Sequence, residues 1–268
     1  MNKKIGFIGC GNMAQAMISG LIKSKLILPT QIMASALTEK KLNFAKDNYG
    51  ILVSNNNMDI LEFSDIIFMA VKPNVYRTII DEIKFHLKKD SIIITIAAGV
   101  NLSFIEKAFG YRLKVIRTMP NTPALVGEGM SALCANELVT KEELELVVKI
   151  FESFGKVEII DEKLMDAIPA ISGSSPAYVY MFIESLADGG VLDGIPRDKA
   201  YKLAAQAVLG AAKMVLETGM HPGALKDNVC SPGGSTIEAV ATLDKEGFRS
   251  AILSAMKSCT KKSKEMSK

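Results

Sequence analysis

The 268-residue sequence predicts a doubly wound α/β domain up to about residue 162, followed by an all-helical domain over residues 163–268. Three observations carry this expectation. A glycine-rich turn, Gly9-Cys10-Gly11, lies between a short apolar run and an amphipathic helical pattern. Short apolar runs then alternate with helical-period segments as far as Ile160, the pattern of successive βαβ units. After Asp161 the strand-like runs stop and helical periodicity alone remains.

Lys4–Ile8 reads as a buried strand. Ile8-Gly9-Cys10-Gly11-Asn12-Met13-Ala14 follows as a GxGxx(G/A) motif and opens a helix with Met13, Ala16, Met17, Gly20 and Leu21 on one face. In such a motif the first glycine makes the turn, the second admits a pyrophosphate, and a small third residue lets helix and strand pack closely. A glycine-rich turn without a ligand looks the same locally. Its place after a strand and before a helix predicts a Rossmann-type dinucleotide-binding domain, with residues 8–13 around the phosphates.

The second strand, near Gln31–Ser35, ends in Ala34-Ser35-Ala36-Leu37-Thr38. NAD-specific folds place an acidic residue at this tip to grip the ribose. Here Glu39 comes later, followed by Lys40 and Lys41. A tip without a carboxylate does not repel a 2′-phosphate, which favours NADPH with NADH as the alternative. A third strand near Ile51–Val53 precedes Asn55, Asn56 and Asn57. Asp65–Val71 forms the fourth and ends in Ala70-Val71-Lys72-Pro73, with a helix expected over Asn74–Leu87. Ile92–Ile96 forms the fifth and leads into Ala97-Ala98-Gly99. These segments line the carboxyl edge of the sheet, where doubly wound folds bind ligands.

Lys114–Thr118 leads into Met119-Pro120-Asn121-Thr122-Pro123-Ala124, a loop fixed by two prolines. Asn121 is its polar candidate, either lining a site or tying the loop together. Met130–Cys134 and Val157–Ile160 complete the sheet around a helix from about Thr140 to Ser153. Ser175-Pro176 opens a helix to about Leu192. Another runs from Pro196 to about Thr218, about 35 Å long at 1.5 Å per residue. Its alanines (Ala200, Ala204, Ala205, Ala207, Ala211, Ala212) spread over more than one face. Such a helix needs partners around most of its circumference, which points to an interlocked dimer.

Near the end stands Leu225-Lys226-Asp227-Asn228-Val229-Cys230-Ser231-Pro232-Gly233-Gly234-Ser235-Thr236-Ile237-Glu238. It reads as a helix end, a tight turn and a helix start, with Ser235 and Glu238 spaced as a capping box. The free backbone N–H groups of such a start suit a carboxylate, and Thr236 places a hydroxyl beside them. Read locally, Gly-Gly-Ser is equally a connector and Thr236 an ordinary first-turn residue.

The run from Leu225 to Leu243 resembles the signature of the pyrroline-5-carboxylate reductase family. Asp227, Asn228, Ser231, Pro232, Gly233, Gly234, Thr236 and Ile237 stand where that family has them, and the resemblance extends from Gly6 to about Met256. It implies reduction of 1-pyrroline-5-carboxylate to L-proline by hydride transfer from NADPH or NADH, the last step of proline biosynthesis. It implies a cofactor held by residues 8–13, Ser35, Asn57, Ala70, Val71, Lys72, Pro73, Ala97, Ala98 and Asn228. It implies a substrate held by Asn121, Gly233, Gly234, Ser235 and Thr236, with Thr236 as the catalytic donor and no metal. A homodimer, with a larger ring of dimers as the alternative, is the implied assembly. Two positions depart from the common pattern: Ala36 stands where many bacterial members have arginine, and Ser175 where many have glycine.

Composition narrows the remaining classes. Hydrophobic residues at 49% and charged ones at 23% are ordinary globular values. A net charge of +3, evenly spread, argues against nucleic acid as a partner. No apolar run is long enough to span a membrane. Cys10, Cys134, Cys230 and Cys259 have neither disulfide nor zinc spacing and read as reduced thiols of a cytoplasmic protein. His86 and His221 lie in no metal spacing, and His221-Pro222 reads as a helix cap. Two other functions stay open. A hydroxyacid dehydrogenase of the 3-hydroxyisobutyrate type would need a lysine on the central helix, and Pro176–Leu192 has none. A catalytically silent nucleotide sensor would be expected to lose Thr236 or the Pro-Gly-Gly turn.

Overall fold

The computed structural model describes residues 3–266. The chain divides into two compact units. One comprises the chain up to Ser174 together with the residues from Cys259 onward; the other is Ser175–Ser258.

The first unit is built on β1 (Ile5–Ile8), β2 (Ile32–Ser35), β3 (Leu52–Ser54), β4 (Ile66–Met69), β5 (Ile92–Thr95), β6 (Lys114–Met119), β7 (Gly129–Ala135) and β8 (Gly155–Ile159). They form one sheet in the order β3-β2-β1-β4-β5-β6-β7-β8. Its helices are α1 (Asn12–Lys23), α2 (Glu39–Tyr49), α3 (Asn57–Phe63), α4 (Tyr76–Ile83), α5 (Leu102–Phe109) and α6 (Lys141–Glu152). All neighbouring strands are parallel except β6 and β7. The link from Met119 to Gly129 is shorter than the roughly dozen residues a parallel crossover requires, so β7 returns antiparallel.

Helices cover both faces, so the central strands are buried on both sides and read as continuous apolar runs. Phe7 and Phe68 stack on one face with ring centroids 4.7 Å apart, and Phe151 and Phe154 of the α6 region extend the cluster. Ile8, Ile67, Met69, Tyr76 and Ile93 fill the other. Strand order reverses between β2-β1 and β4-β5. The crevice of such folds opens at that switch point, outside the carboxyl ends of the strands.

All eight predicted strands are present. The helix expected over Asn74–Leu87 is shorter: a 3₁₀ turn at Pro73–Val75 precedes α4, which stops at Ile83. Beyond it His86 N–H returns to Ile83 in a tighter turn, and the Lys84 carbonyl is taken by the Tyr111 hydroxyl at 2.5 Å.

The first compact unit runs on past Glu162, where the change to helical periodicity begins, as far as Ser174. The segment 162–174 is fastened to the sheet by its own side chains. Glu162 accepts the backbone N–H of Leu102 at 2.7 Å, and Asp166 pairs at 2.5 Å with Arg117, a buried guanidinium on β6. Met165, Ile168 and Ala170 are buried beside them. The end of the last helix belongs here too: Cys259 Sγ donates to Ser174 Oγ at 3.5 Å, Ser263 is buried, and Met266 packs on Gly99.

The second unit holds α7 (Ser175–Leu192), α8 (Arg197–Thr218), α9 (Pro222–Val229), α10 (Ser235–Lys245) and the first part of α11 (Phe248–Met266). His221 caps α9, its Nδ1 accepting from Gly223 N–H at 3.0 Å ahead of Pro222 at the first helical position. Burial here is sparse. In α7, 18 residues long, only Ala187 is buried; in the 22 residues of α8, only Ala200 and Ala204 are. Met181, Leu186, Leu203, Leu209, Met214 and Leu216 are exposed. Large apolar side chains exposed in this number along two helices mark an interaction site.

Asp166→Ala would leave Arg117 buried with Glu162, 3.7 Å away, as its ion-pair partner among the described residues. Removing one partner of a buried pair typically costs about 3–5 kcal/mol. We expect about 3 kcal/mol by urea denaturation. A loss below about 1 kcal/mol would reduce the pair to the level of a surface ion pair.

Candidate active site

The site begins at the end of β1, where Gly9 turns the chain. Its φ is +98°, and a Cβ there would stand 2.6 Å from the Ala70 carbonyl oxygen. Both the conformation and the space therefore demand glycine. Gly11 is different. It is the N-cap of α1 in extended conformation, and a Cβ on it would meet nothing within 4 Å. No protein atom requires that glycine, so the space in front of it suits a ligand. The first turn of α1 has no side-chain cap and no acidic residue, so its N–H groups and partial positive charge suit an anion.

A cleft of about 340 Å³ opens here. Of the residues singled out from sequence, it is lined by Gly11, Asn12, Met13, Ala70, Val71, Lys72, Pro73, Ala97 and Asn121. Ala14, Ile96, Met119, Pro120, Thr122 and Gly173 complete the lining. Ile8 and Cys10 are buried beneath the turn. Burial also raises the Cys10 thiol pKa, with the nearby Lys41 ammonium opposing the shift.

Ser35 and Asn57 are brought together. The Ser35 hydroxyl donates to Asn57 Oδ1 at 2.7 Å, and the Gly9 N–H reaches the Ser35 carbonyl at 3.2 Å. Asn57 begins α3, capped by Asn56, whose side chain accepts from Met58 N–H. The Asn57 amide donates to both oxygens of Glu82 at 3.1 and 3.2 Å. Sequence reading missed this carboxylate, because it comes from α4 and not from the strand tip.

Also missed was a chain of buried hydroxyls beneath the cleft. Tyr76, fully buried, donates to the Met69 carbonyl at 2.5 Å and lies 3.1 Å from Thr95 Oγ1. With its own proton committed to Met69, Tyr76 accepts from Thr95. Thr118 donates to the Thr95 carbonyl at 3.0 Å. The backbone amides of Ile96 and Ala97 also face the phenol oxygen. The carboxyl ends of β4, β5 and β6 are thereby tied together just where they enter the cleft-lining loops. A lone tyrosine in an apolar helix gives no sequence sign of this.

Asn121 is nine-tenths buried and engaged at both ends: its amide donates to the Ser172 carbonyl at 3.0 Å, and its Oδ1 accepts from Met130 N–H at 2.9 Å. It fastens the Pro120–Pro123 loop to the segment after Glu162 while lining the cleft.

The other candidates lie in the second unit. Asn228 is exposed on α9, beside an apolar cleft of about 430 Å³. Gly233 is left-handed, with φ +68°. Gly234, at φ −83° and ψ 168°, is the N-cap of α10, and a Cβ there would lie 2.5 Å from Ser231 Oγ. The expected Ser235–Glu238 capping box does not form. Because Gly234 takes the cap position, Ser235 and Thr236 become the first helical residues, and no side chain caps the turn. Its backbone N–H groups stay open. Thr236 is half-buried, and its hydroxyl has no hydrogen-bond partner among the described residues.

No group of three or more metal-ligating side chains occurs among the described residues, and no helix there is long and apolar enough to cross a membrane. All four cysteines are free.

Residues 162–266 match a family model described as pyrroline-5-carboxylate reductase dimerisation. Residues 4–99 match one described as NADP oxidoreductase, coenzyme F420-dependent. A pyrroline-5-carboxylate reductase of Escherichia coli is 52% identical over 268 residues, covering 100% of both chains. The chain belongs to the pyrroline-5-carboxylate reductase family. A member from the archaeon Methanosarcina acetivorans is 43% identical over 267 residues, covering 100% of this chain and 99% of its own. Solved members superpose over the whole chain. The Plasmodium falciparum reductase, crystallised with NADP bound, gives a TM-score of 0.91 at 35% identity, covering 100% of this chain and 99% of its own. The Coxiella burnetii reductase gives 0.92 at 34%, with full coverage of both chains.

Burial pushes the Tyr76 pKa up to about 12, partly offset by its hydrogen bonds to Thr95 and the Ile96 and Ala97 amides. The unfolded chain gives up this proton near the ordinary pH of about 10, so between those values the folded state binds more protons. This contribution is complete below pH 10 and falls as pH rises. Tyr76→Phe is expected to cost about 1–3 kcal/mol at pH 8, the cost of unsatisfied buried partners. The gap to wild type should narrow by about 1.4 kcal/mol at pH 11. Urea denaturation at the two pH values measures it. A constant gap would show that the phenol does not titrate as described.

Proposed function

We propose that the chain reduces 1-pyrroline-5-carboxylate to L-proline with NADPH as hydride donor, NADH serving as the alternative. The observation that carries this reading is the start of α10: an uncapped helix N-terminus, opened by Gly233-Gly234, with the half-buried Thr236 hydroxyl free of hydrogen-bond partners among the described residues. Such a turn holds a carboxylate through backbone N–H groups, and the hydroxyl is free to address the ring nitrogen beside it. The substrate carries both groups.

The cofactor supplies a hydride to the imine carbon; the C=N electron pair then becomes the amine lone pair on nitrogen. The residues fit such a group. Open space before Gly11 and the uncapped start of α1 suit a pyrophosphate. Ala70–Pro73, Ala97 and Ala98 offer small side chains where a nicotinamide ring would need room. We assign Ser35 and Asn57 to the adenosine end, and Asn228 to a further cofactor contact. Asn121 shapes the floor. A protonated cyclic imine accepts hydride directly, so the chain's task is to orient it, place a hydroxyl where the nitrogen lone pair develops and exclude water.

We further propose a homodimer through the second unit, assembled in turn into a ring. Each large apolar side chain removed from water contributes about 1.5–3 kcal/mol. The exposed side chains of α7 and α8 together therefore exceed an association cost of about 4–15 kcal/mol. The free cysteines suit the reducing cytoplasm. Sedimentation at micromolar protein measures the assembly, and a stable, active monomer would refute it.

The catalytic reading is tested by 1-pyrroline-5-carboxylate-dependent oxidation of NADPH. The Thr236 hydrogen bond to nitrogen forms as the amine lone pair develops, so its loss affects turnover more than binding. Thr236→Ala is expected to lower kcat about ten- to a hundredfold, equivalent to about 1.4–2.7 kcal/mol. Thr236→Ser should retain most activity. Unchanged kcat in a folded Ala variant would leave the backbone amides as the turn's contribution.

A further inference from the structure

Pairing between β4 and β5 ends at Met69 opposite Thr95. Past that pair the chain runs into loops 70–75 and 96–99, and both line the cleft of about 340 Å³. The Tyr76 hydroxyl stands where the two loops part. We infer that Tyr76 is a positioning residue for hydride transfer: its hydroxyl fixes the spacing of the two loops, and with it where a nicotinamide ring rests against them. The inference rests on the reductase reading above. It goes beyond that reading because it assigns a part in turnover to a side chain that does not itself line the cleft.

Three observations carry it. The phenol oxygen serves both loops at once. It donates to the Met69 carbonyl at 2.5 Å, where loop 70–75 begins. Thr95 Oγ1 lies 3.1 Å away, and the Ile96 and Ala97 amides face the same oxygen from the start of loop 96–99. Next, Tyr76 directly follows loop 70–75, so its side chain reaches back to the residue that precedes the loop. The base of that loop is thereby closed by a rigid ring. Finally, the turns within the loops do not join them. Val75 N–H reaches the Lys72 carbonyl at 3.1 Å and Val100 N–H the Ala97 carbonyl at 3.4 Å, each on its own side.

Tyr76 and Thr95 are fully buried, where water cannot replace a lost partner. A phenylalanine fills nearly the same space but leaves the Met69 carbonyl and the Thr95 hydroxyl to find new partners, which requires the loops to shift. Hydride transfer is sensitive to such shifts, since a displacement of about 1 Å can cost about a hundredfold in rate.

The first measurement needs no cofactor. In Tyr76→Phe, amide hydrogen exchange in 70–75 and 96–99 is expected to quicken about tenfold or more, with a smaller change in β1 and β2. Single-turnover oxidation of NADPH by 1-pyrroline-5-carboxylate then reads the chemical step, identified by its slowing when NADPH carries deuterium at the transferred position. Its rate constant should fall about tenfold in Tyr76→Phe, while the NADPH dissociation constant, from fluorescence anisotropy, stays within about threefold. Thr95→Val should also slow the step, whereas Thr95→Ser, which keeps the hydroxyl, should stay within about twofold of wild type. A purely structural role lowers the melting temperature and leaves the rate constant unchanged, and that result overturns the inference. So does unchanged exchange in both loops, a loss confined to NADPH affinity, or a Thr95→Ser variant as slow as Thr95→Val. Should Tyr76→Phe not fold, the two Thr95 variants decide by the same criteria. A wild type that oxidises no NADPH with this substrate sinks the reductase reading, and the inference falls with it.

Discussion

The carboxyl edge of the sheet depends on how closely β1 and β4 approach at Gly9. Ala70 N–H reaches the Ile8 carbonyl at 2.8 Å, and the turn at Gly9 leaves no room for a side chain between the two strand ends. With that approach fixed, α1 starts where its free N–H groups face the crevice. The loop after β4 then comes to lie across the same opening. The Tyr76–Thr95–Thr118 hydroxyls extend the constraint sideways, holding the ends of β4, β5 and β6 at one level. A cleft lined by small, mostly apolar residues has few contacts of its own to define it. Its shape is set from underneath.

Sequence patterns revealed the strands well because the strongest signal in a doubly buried sheet is apolar continuity. They also revealed the glycine motif, whose spacing follows from backbone geometry rather than from distant contacts. What they did not reveal was tertiary. Glu82 meets Asn57 from another helix, and Tyr76 is one aromatic among isoleucines until its hydroxyl is seen against Met69 and Thr95. The boundary expected at Glu162 rested on a change in periodicity. Whether residues 162–174 leave the sheet is decided by Arg117 and Leu102, both far away in sequence. The Ser235 capping box failed for a local reason: a glycine one residue earlier took the cap, and pattern alone does not choose between adjacent candidates.

The two units solve different problems. The first buries its apolar residues internally and can hold a crevice rigid. The second leaves α7 and α8 with scarcely any buried residues, so much of their apolar surface is left for a partner. Its own polar feature, the open start of α10, is built from backbone and one hydroxyl and needs no charged side chain. That economy is consistent with membership of a family whose named reaction handles a small anionic ring.

The last helix has a consequence for synthesis. Residues 175–258 lie within the first unit's sequence rather than after it, because the stretch from Cys259 to Met266 returns to pack at Ser174 and Gly99. A ribosome delivers a chain from its amino terminus, and domains generally fold as they emerge. Here the sheet and its crevice are made early, but the piece that closes over Gly99 leaves the ribosome only after the entire helical unit. The nucleotide-facing unit is therefore finished last, when the apolar helices meant for a second subunit are already outside and exposed.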